Sequence, residues 1–369
     1  MDFSFTEEQE TVGKVARQLF EHRATPEHLS ELEAGPIRHD DALWRELAAS
    51  DLLGIALPES VGGSGGDFLE LCVLLAEVGW SVAPVPVYAT LVLGADVIAR
   101  HGDSALQQKY LPKVVSGELF LTGALVEANN SDPTSPRTTA RAGGDNTWIL
   151  TGSKELVPAA QLADAIVVSA RADDGPGLFV VDATGDGVTI TPAGTTNGEP
   201  YADVELAGAV GSRLEAGGAN AVAELYNRAL VGLCAMQVGV TERALKIAAS
   251  YTSEREQFGR PIGSFQAVQQ RLADAFIDVE AIRWTTWHAA WLIAEGRPAV
   301  RDAAIAKFWA ADAGARVVAS AQQVHGGMGI DVTYPLHRYF LWAKQIELSL
   351  GSAPQQLVRL GASYPEGLK

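Results

Sequence analysis

Two stretches of this chain combine residue types able to hold a charged, flat ligand. Residues 254–270 read E-R-E-Q-F-G-R-P-I-G-S-F-Q-A-V-Q-Q, and residues 323–329 read Q-V-H-G-G-M-G. Arg255 carries a permanent charge on a planar donor fork that matches phosphate oxygens. Phe258 offers a flat apolar face, Gly259 a turn, and Gln266 an amide that can pair with polar ring edges. Gly326, Gly327 and Gly329 let a backbone come close to a ligand because no Cβ stands in the way. Each residue alone also has an ordinary reading: a solvated arginine, a Gly-Gly turn. His325, inside the glycine motif, reads as a packing or hydrogen-bonding histidine, and His337 beside Arg338 as a surface or interface pair. No His, Cys or carboxylate spacing suggests a metal site.

The elements that must position these residues follow from pattern and punctuation. Thr6-Glu7-Glu8-Gln9 has capping-box spacing, with Phe5 placed as a hydrophobic staple. Helical periodicity then runs to about residue 115, with Trp44, Leu47, Ala48 and Leu52 on one helical face. A glycine-rich loop at 58–66 precedes a long apolar helix from Phe68 to Trp80. Short β-branched and aromatic runs at 147–152, 165–168 and 178–182 predict a small antiparallel β domain. After Gly217-Gly218 the helical pattern returns. The expected fold is α+β, mostly α: an N-terminal helical domain (1–115), a middle antiparallel β domain (116–215) and a second helical block (216–369).

Composition narrows the function. The 369 residues are 47% hydrophobic and 20% charged, a soluble globular balance. A net charge of −17 argues against broad nucleic-acid binding, which needs basic surface to replace counterions. Cys72 and Cys234 both lie in apolar helical runs and read as buried thiols rather than a disulfide. The N-terminus shows no export signal, and no apolar run has the length of a membrane span, so the expected address is cytoplasmic and no membrane partner is expected.

The motifs resemble the acyl-CoA dehydrogenase family, in order along nearly the whole chain. The resemblance begins with D-F-S-F-T-E-E-Q, passes through W-R-E-L-A-A-S-D-L-L-G-I-A-L-P-E-S-V-G-G-S-G-G and L-T-G-S-K, and is strongest in R-E-Q-F-G-R-P-I-G-S-F-Q and Q-V-H-G-G-M-G. It implies that residues 216–369 form a C-terminal four-helix bundle for flavin donation and oligomerisation, and that FAD is shared across a subunit interface. One subunit's β domain holds the ring, and a neighbour's C-terminal helices hold the adenine and pyrophosphate end. On that resemblance the cofactor-binding residues here are Arg255, Phe258, Gln266, Gln323, Val324, Gly326 and Gly327.

The ring-holding half departs from the family pattern. Val126, Ala128 and Asn130 replace an expected threonine, proline and glycine around the loop ending at Ser131-Asp132. Leu156 and Pro158 stand where a tryptophan and a threonine cover the ring, and neither supplies their stacking or hydroxyl. Pro354 replaces a glutamine. The catalytic glutamate of the family, placed in the C-terminal loop or alternatively on the helix before R-x-x-F-G, falls on Leu350 or Ala249. Glu347, one turn before Leu350, and Glu242, two turns before Ala249, are displaced along their helices, and about 1 Å of misplacement can cost roughly a hundredfold in rate.

The resemblance therefore implies an obligate non-catalytic subunit that completes the FAD site of a catalytic acyl-CoA dehydrogenase partner, with no catalytic residue of its own. It is similar to the actinobacterial α2β2 enzymes of steroid side-chain degradation, with an electron-transfer flavoprotein as acceptor. Two other readings stand beside it. One is an autonomous homo-oligomer using Glu347 as an atypical base; the other is a flavin-free acyl-CoA-binding scaffold.

Overall fold

The computed structural model describes residues 4–130, 132–144, 147–214 and 220–364. Asp2 and Phe3 of the opening motif, Ser131 and Gly217-Gly218 lie outside the described residues. The chain packs as two compact units. One comprises Met1–Ser30, Cys72–Ala83 and Leu230–Lys369; the other comprises Glu31–Leu71 and Pro84–Ala229.

In the first unit, α1 (Glu7–Arg23) starts as its spacing predicts. Gln9 N–H donates to Thr6 Oγ1 at 3.2 Å and Thr6 N–H donates to Gln9 Oε1 at 3.0 Å, satisfying two otherwise orphaned helix donors. The staple does not form. Its partner position is Glu10, so Phe5 instead sets its ring edge-on to Trp287 at 5.2 Å.

Four longer helices and a short one build the rest of the unit: α7 (Asn220–Glu254), α8 (Gln266–Ala294), α9 (Val300–His325), α10 (Leu336–Leu348) and α11 (Ala353–Ala362). Helix α9 buries Ala303, Ala306, Ala310, Ala313 and Val317 at three- and four-residue spacing, a stripe for neighbouring helices. Helix α4 (Phe68–Ser81) meets α7 through paired glycines. A Cβ on Gly79 would lie 1.9 Å from the Met236 carbonyl oxygen, and one on Gly239 1.8 Å from that of Ala76. Only glycine allows this approach.

In the second unit, α2 (Pro26–Glu33) ends and α3 (Asp41–Ala49) begins, with Asp40 Oδ1 accepting from the Ala42 and Leu43 N–H groups at 3.0 Å. The sequence places Leu52 on the α3 face, but the helix stops at Ala49. Asp51 turns left-handed (φ 59°), and Leu52 is buried from a separate 3-10 turn.

Seven strands follow α6 (Ser104–Val115): β1 (Leu121–Ala124), β2 (Thr139–Ala142), β3 (Thr147–Pro158), β4 (Ala165–Ala172), β5 (Gly175–Asp182), β6 (Val188–Ala193) and β7 (Tyr201–Leu214). Strands β4, β2, β3, β7 and β5 pair in a closed ring, with β1 added to β4 and β6 to β7. The sheet is mainly antiparallel, as expected, and two pairings depart from that: β1 with β4 and β2 with β4 at Thr139–Arg171 are parallel. The β2–β3 hairpin intervenes between β1 and β4, so the chain returns to β1 by a crossover rather than a turn, and a crossover return is parallel. Leu150, Ile166, Val168, Phe179, Val204 and Leu206 are buried in the core of this sheet.

Candidate functional site

Where α7 ends, the chain makes a small hairpin. Strand β8 (Glu256–Gln257) pairs with β9 (Arg260–Pro261) around Phe258-Gly259, both at positive φ (55° and 77°). This is the twist a two-residue hairpin turn demands. Glycine takes it freely, whereas for a bulky residue it costs about 1–3 kcal/mol. Phe258 is nevertheless 93% exposed, with its ring edge-on to Phe265 at a centroid distance of 6.1 Å. One edge-on aromatic contact offsets only part of that strain. Arg255 is fixed by its backbone, its N–H donating to the Tyr251 carbonyl and its carbonyl accepting from Ile262, both at 2.8 Å. Its guanidinium is exposed and makes no ion pair among the described residues. Gln266 opens α8 with its side chain exposed.

The second stretch sits at the end of α9. Exposed Gln323 and half-buried Val324 occupy its last turn. Gly326 closes the helix at φ 59°, ψ −133°, a region essentially confined to glycine, and residues 326–330 form a 3-10 turn. A Cβ on Gly329 would press within 2.7 Å of the Gln322 carbonyl oxygen, so that glycine serves the fold. Gly327 differs: a Cβ there would meet nothing, so nothing in this chain demands a glycine. The open backbone at 326–327 is a cradle that faces outward.

His325 joins the two stretches. Its ring stacks on Tyr251 at 4.2 Å, Nδ1 lies 2.7 Å from the Ala321 carbonyl, and Nε2 lies 3.1 Å from the Tyr334 hydroxyl. Burial lowers its pKa, so near neutral pH it is an uncharged post between the ends of α7 and α9. The packing role inferred for His325 holds. The surface reading of Arg338 does not. Arg338 is 5% exposed and donates to Ser30 Oγ at 2.9 Å, while His337 Nδ1 lies 2.7 Å from the Tyr334 carbonyl.

The positions compared with a ring-holding half lie in the other unit. Val126 is half-buried, and its carbonyl accepts from Glu155 N–H at 2.9 Å. A bulge between Lys154 and Val157 turns Leu156 left-handed (φ 49°) and leaves it 44% exposed. Asn130 spans its loop, its amide donating to Glu127 Oε2 and the Ser135 carbonyl, both at 3.1 Å.

Sequence reasoning missed the centre of this region. Glu127 accepts from Lys154 Nζ at 2.7 Å, from Thr138 Oγ1 at 2.7 Å and from the Thr138 N–H at 2.9 Å. Burial would raise the Glu127 carboxyl, but Lys154 and these donors hold it down at about 2. Burial pushes the wholly enclosed Lys154 ammonium down to about 8 against the pull of Glu127. Glu127 follows the apolar run Ala124-Leu125-Val126, a hint of burial, but Lys154 stands between Ser153 and Glu155 and nothing local pairs the two.

The positions compared with a catalytic base lie in the helical unit. Leu350 follows α10 with φ 55°, and Gly351 follows at φ 100°. The turn is built: buried Lys307 donates to the carbonyls of Glu347 (3.1 Å) and Gly351 (3.0 Å), and Gln356 Nε2 donates to the Leu350 carbonyl at 3.1 Å. Burial pushes the Lys307 ammonium down to about 8. Glu347 pairs with Lys344 on its own helix. Ala249 is exposed on α7, its carbonyl accepting from Ser253 Oγ at 2.8 Å. Glu242 is held by Arg283 at 2.8 Å. Pro354 sits in the first turn of α11, where its missing N–H breaks no helix bond.

Three family profiles match in order: the N-terminal domain of acyl-CoA dehydrogenase over residues 6–118, the middle domain over 127–207 and the C-terminal domain over 216–363. The chain is also 41% identical to acyl-CoA dehydrogenase FadE27 of Mycobacterium tuberculosis, over 99% of both chains. It belongs to the acyl-CoA dehydrogenase family. Acyl-CoA dehydrogenases are oxidoreductases that bind FAD. Among solved structures, the ChsE4-ChsE5 complex from M. tuberculosis matches with a TM-score of 0.94 and 41% identity, covering 99% of this chain and 100% of that one. The Tcur3481-Tcur3483 steroid ACAD matches at 0.92 and 44%, covering 96% and 97%. Among the described residues of this acyl-CoA dehydrogenase, no acidic, His or Cys group could hold a metal, and no helix is long and apolar enough to cross a membrane.

Proposed function

We propose that this chain is the flavin-completing, non-catalytic subunit of a heteromeric acyl-CoA dehydrogenase. Its domains would run 1–115, 116–215 and 216–369, the last providing the flavin-donor and assembly surfaces. The observation that carries the reading is the pairing of a strained, solvent-exposed Phe258 with the outward-facing Gly326-Gly327 backbone, both rooted on the Tyr251–His325 stack. The exposed Phe258 ring and the unfilled space at Gly327 are not explained by packing within the chain, and they fit a ligand held by another subunit. Arg255 would face the pyrophosphate of FAD, Phe258 would cover an apolar ring face, and Gln266, Gln323 and Val324 would border it. FAD, when bound, supplies the hydride acceptor for α,β-desaturation of an acyl-CoA.

The base would come from the partner. Leu350 has no proton-accepting group, Ala249 has none, and Glu347 is engaged by Lys344. Leu156 and Pro158 give no aromatic cover or hydroxyl at the positions compared with the ring site. Both structural neighbours above are two-component assemblies, one of them a steroid ACAD, which supports an α2β2 arrangement acting on a steroid side-chain CoA ester. An electron-transfer flavoprotein is the proposed acceptor, and the cytoplasm the proposed address.

Flavin absorbance per subunit tests this, for the chain purified alone and after co-expression with its genomic neighbour. The reading expects an empty chain alone and about one flavin per two subunits in the mixed complex. Full flavin in the isolated chain would favour the homo-oligomer with Glu347 as base, and a colourless mixture the flavin-free scaffold.

A further inference from the structure

The helical unit contains a cavity that none of the proposed flavin contacts lines. The cavity, of about 470 Å3, opens where the α1–α2 turn, the C-terminal half of α7 and the start of α10 converge. That is the size range of small-molecule sites. Its charge is opposite to that of the protein. In a chain of net charge −17, the cavity gathers Arg243, Lys246 and Arg338 against the single acid Glu254. Glu254 is engaged by Ser250 Oγ at 3.2 Å.

Arg243 and Lys246 are three apart on one helical face, an arrangement in which like charges repel. Neither forms an ion pair among the described residues. Instead both lie over the Trp80 ring, at 5.2 and 5.1 Å, with Arg17 over the same ring at 3.9 Å. Arg243 also bonds the Tyr339 phenol, whose hydroxyl donates to the Trp80 carbonyl at 2.9 Å. An aromatic ring attracts cations but does not neutralise them. Arg243 and Lys246 are therefore held together at a recess whose one lining acid, Glu254, accepts from Ser250, whereas Arg17 beyond them is matched by Glu77. The rest of the lining is mostly flat or apolar and includes Tyr251, Tyr334, Pro335, Leu29 and Val82.

We infer that this cavity binds a phosphorylated small molecule carrying a flat ring, its phosphate between Arg243 and Lys246 and its ring against the tyrosine wall. A dianion meets two forked or tetrahedral donors better than a single carboxylate would. None of the proposed flavin contacts lines the site, although Tyr251 serves both its wall and the stack beneath those contacts.

Phenyl phosphate is the probe, titrated into the full chain without added flavin, alone or with its co-purified partner, and read by calorimetry and by Trp fluorescence. Saturable one-to-one binding is expected, at least tenfold tighter than inorganic phosphate and weakened at least tenfold by Lys246→Ala. The ammonium of Lys246 is exposed, so this variant should keep the parent melting temperature; if it does not, Lys246→Gln takes its place. Absent saturation, equal affinity for inorganic phosphate, or unchanged binding in the folded Lys246 variant would each overturn the proposal. A failed flavin stoichiometry test would leave all these outcomes untouched.

Discussion

At the scale of single residues, the informative positions are those where local chemistry conflicts with local comfort. Phe258 occupies a left-handed turn position that glycine would fill without strain. Phe258→Gly should raise the stability of the chain by about 1 kcal/mol in urea unfolding. The same variant should lower flavin retention in the co-expressed complex. A stability gain without flavin loss would mean that the exposed ring serves something else. Arg255→Gln should reduce flavin content in the complex while leaving the chain's own melting temperature unchanged, because its guanidinium makes no ion pair among the described residues.

The Glu127–Lys154 pair makes the opposite demand, since it is satisfied internally. Glu127→Gln would strand a buried ammonium and should cost about 3–5 kcal/mol at pH 7, with Glu127→Gln/Lys154→Met recovering most of it. The sign with pH follows from the carboxyl. Its folded pKa of about 2 lies below the ordinary value of about 4.3, so its stabilisation is full above that value and is lost as pH falls through 2. The stability gap between the parent and Glu127→Gln should therefore narrow in urea unfolding series carried from pH 6 toward pH 2.

At the scale of elements, close packing and capping decide what the periodic pattern leaves open. The α4–α7 crossing depends on Gly79 and Gly239. Gly239→Ala should destabilise by about 3 kcal/mol or more, because the added methyl overlaps backbone that cannot move aside. Thr6→Ala, which removes one half of the α1 capping box, should cost only about 1 kcal/mol. Thermal unfolding of the two variants should rank them in that order. The hairpin at 256–261 is short, but its direction is set from both ends, by Tyr251 through Arg255 and by Ile262. The turn at 347–351 is likewise fixed by Lys307 and Gln356. A leucine at 350 thus stands in an ordered turn.

For the whole molecule, the two compact units show which sequence neighbours pack together. Helix α1 belongs with the C-terminal helices, although more than 200 residues separate them along the chain. Arg17 reaches Glu77 of α4 with two hydrogen bonds, of 2.6 and 2.8 Å, within that unit. The proposed function adds a further level, since a flavin bound between subunits stabilises only the assembly that holds it. The mixed complex, with flavin, should unfold at a higher temperature than after flavin is stripped by high bromide. The isolated chain should show no such difference in the same scan.

Local signals were enough for much of this protein. The capping box at Thr6–Gln9, the apolar helix from Phe68, the runs that became β3, β4 and β5, and the ordered motifs at 254–270 and 323–329 are encoded by neighbours a few residues apart. Such patterns survive reading in one dimension because helix and strand periodicity are themselves local. The end of α3, the turning of Phe5 toward Trp287 and the two parallel strand pairings were not legible. Nor was the partnership of Glu127 with Lys154, 27 residues away. Each depends on which distant segment arrives beside a residue. Burial then sets the cost of an unpaired charge or an unfilled contact, and only the folded chain determines burial.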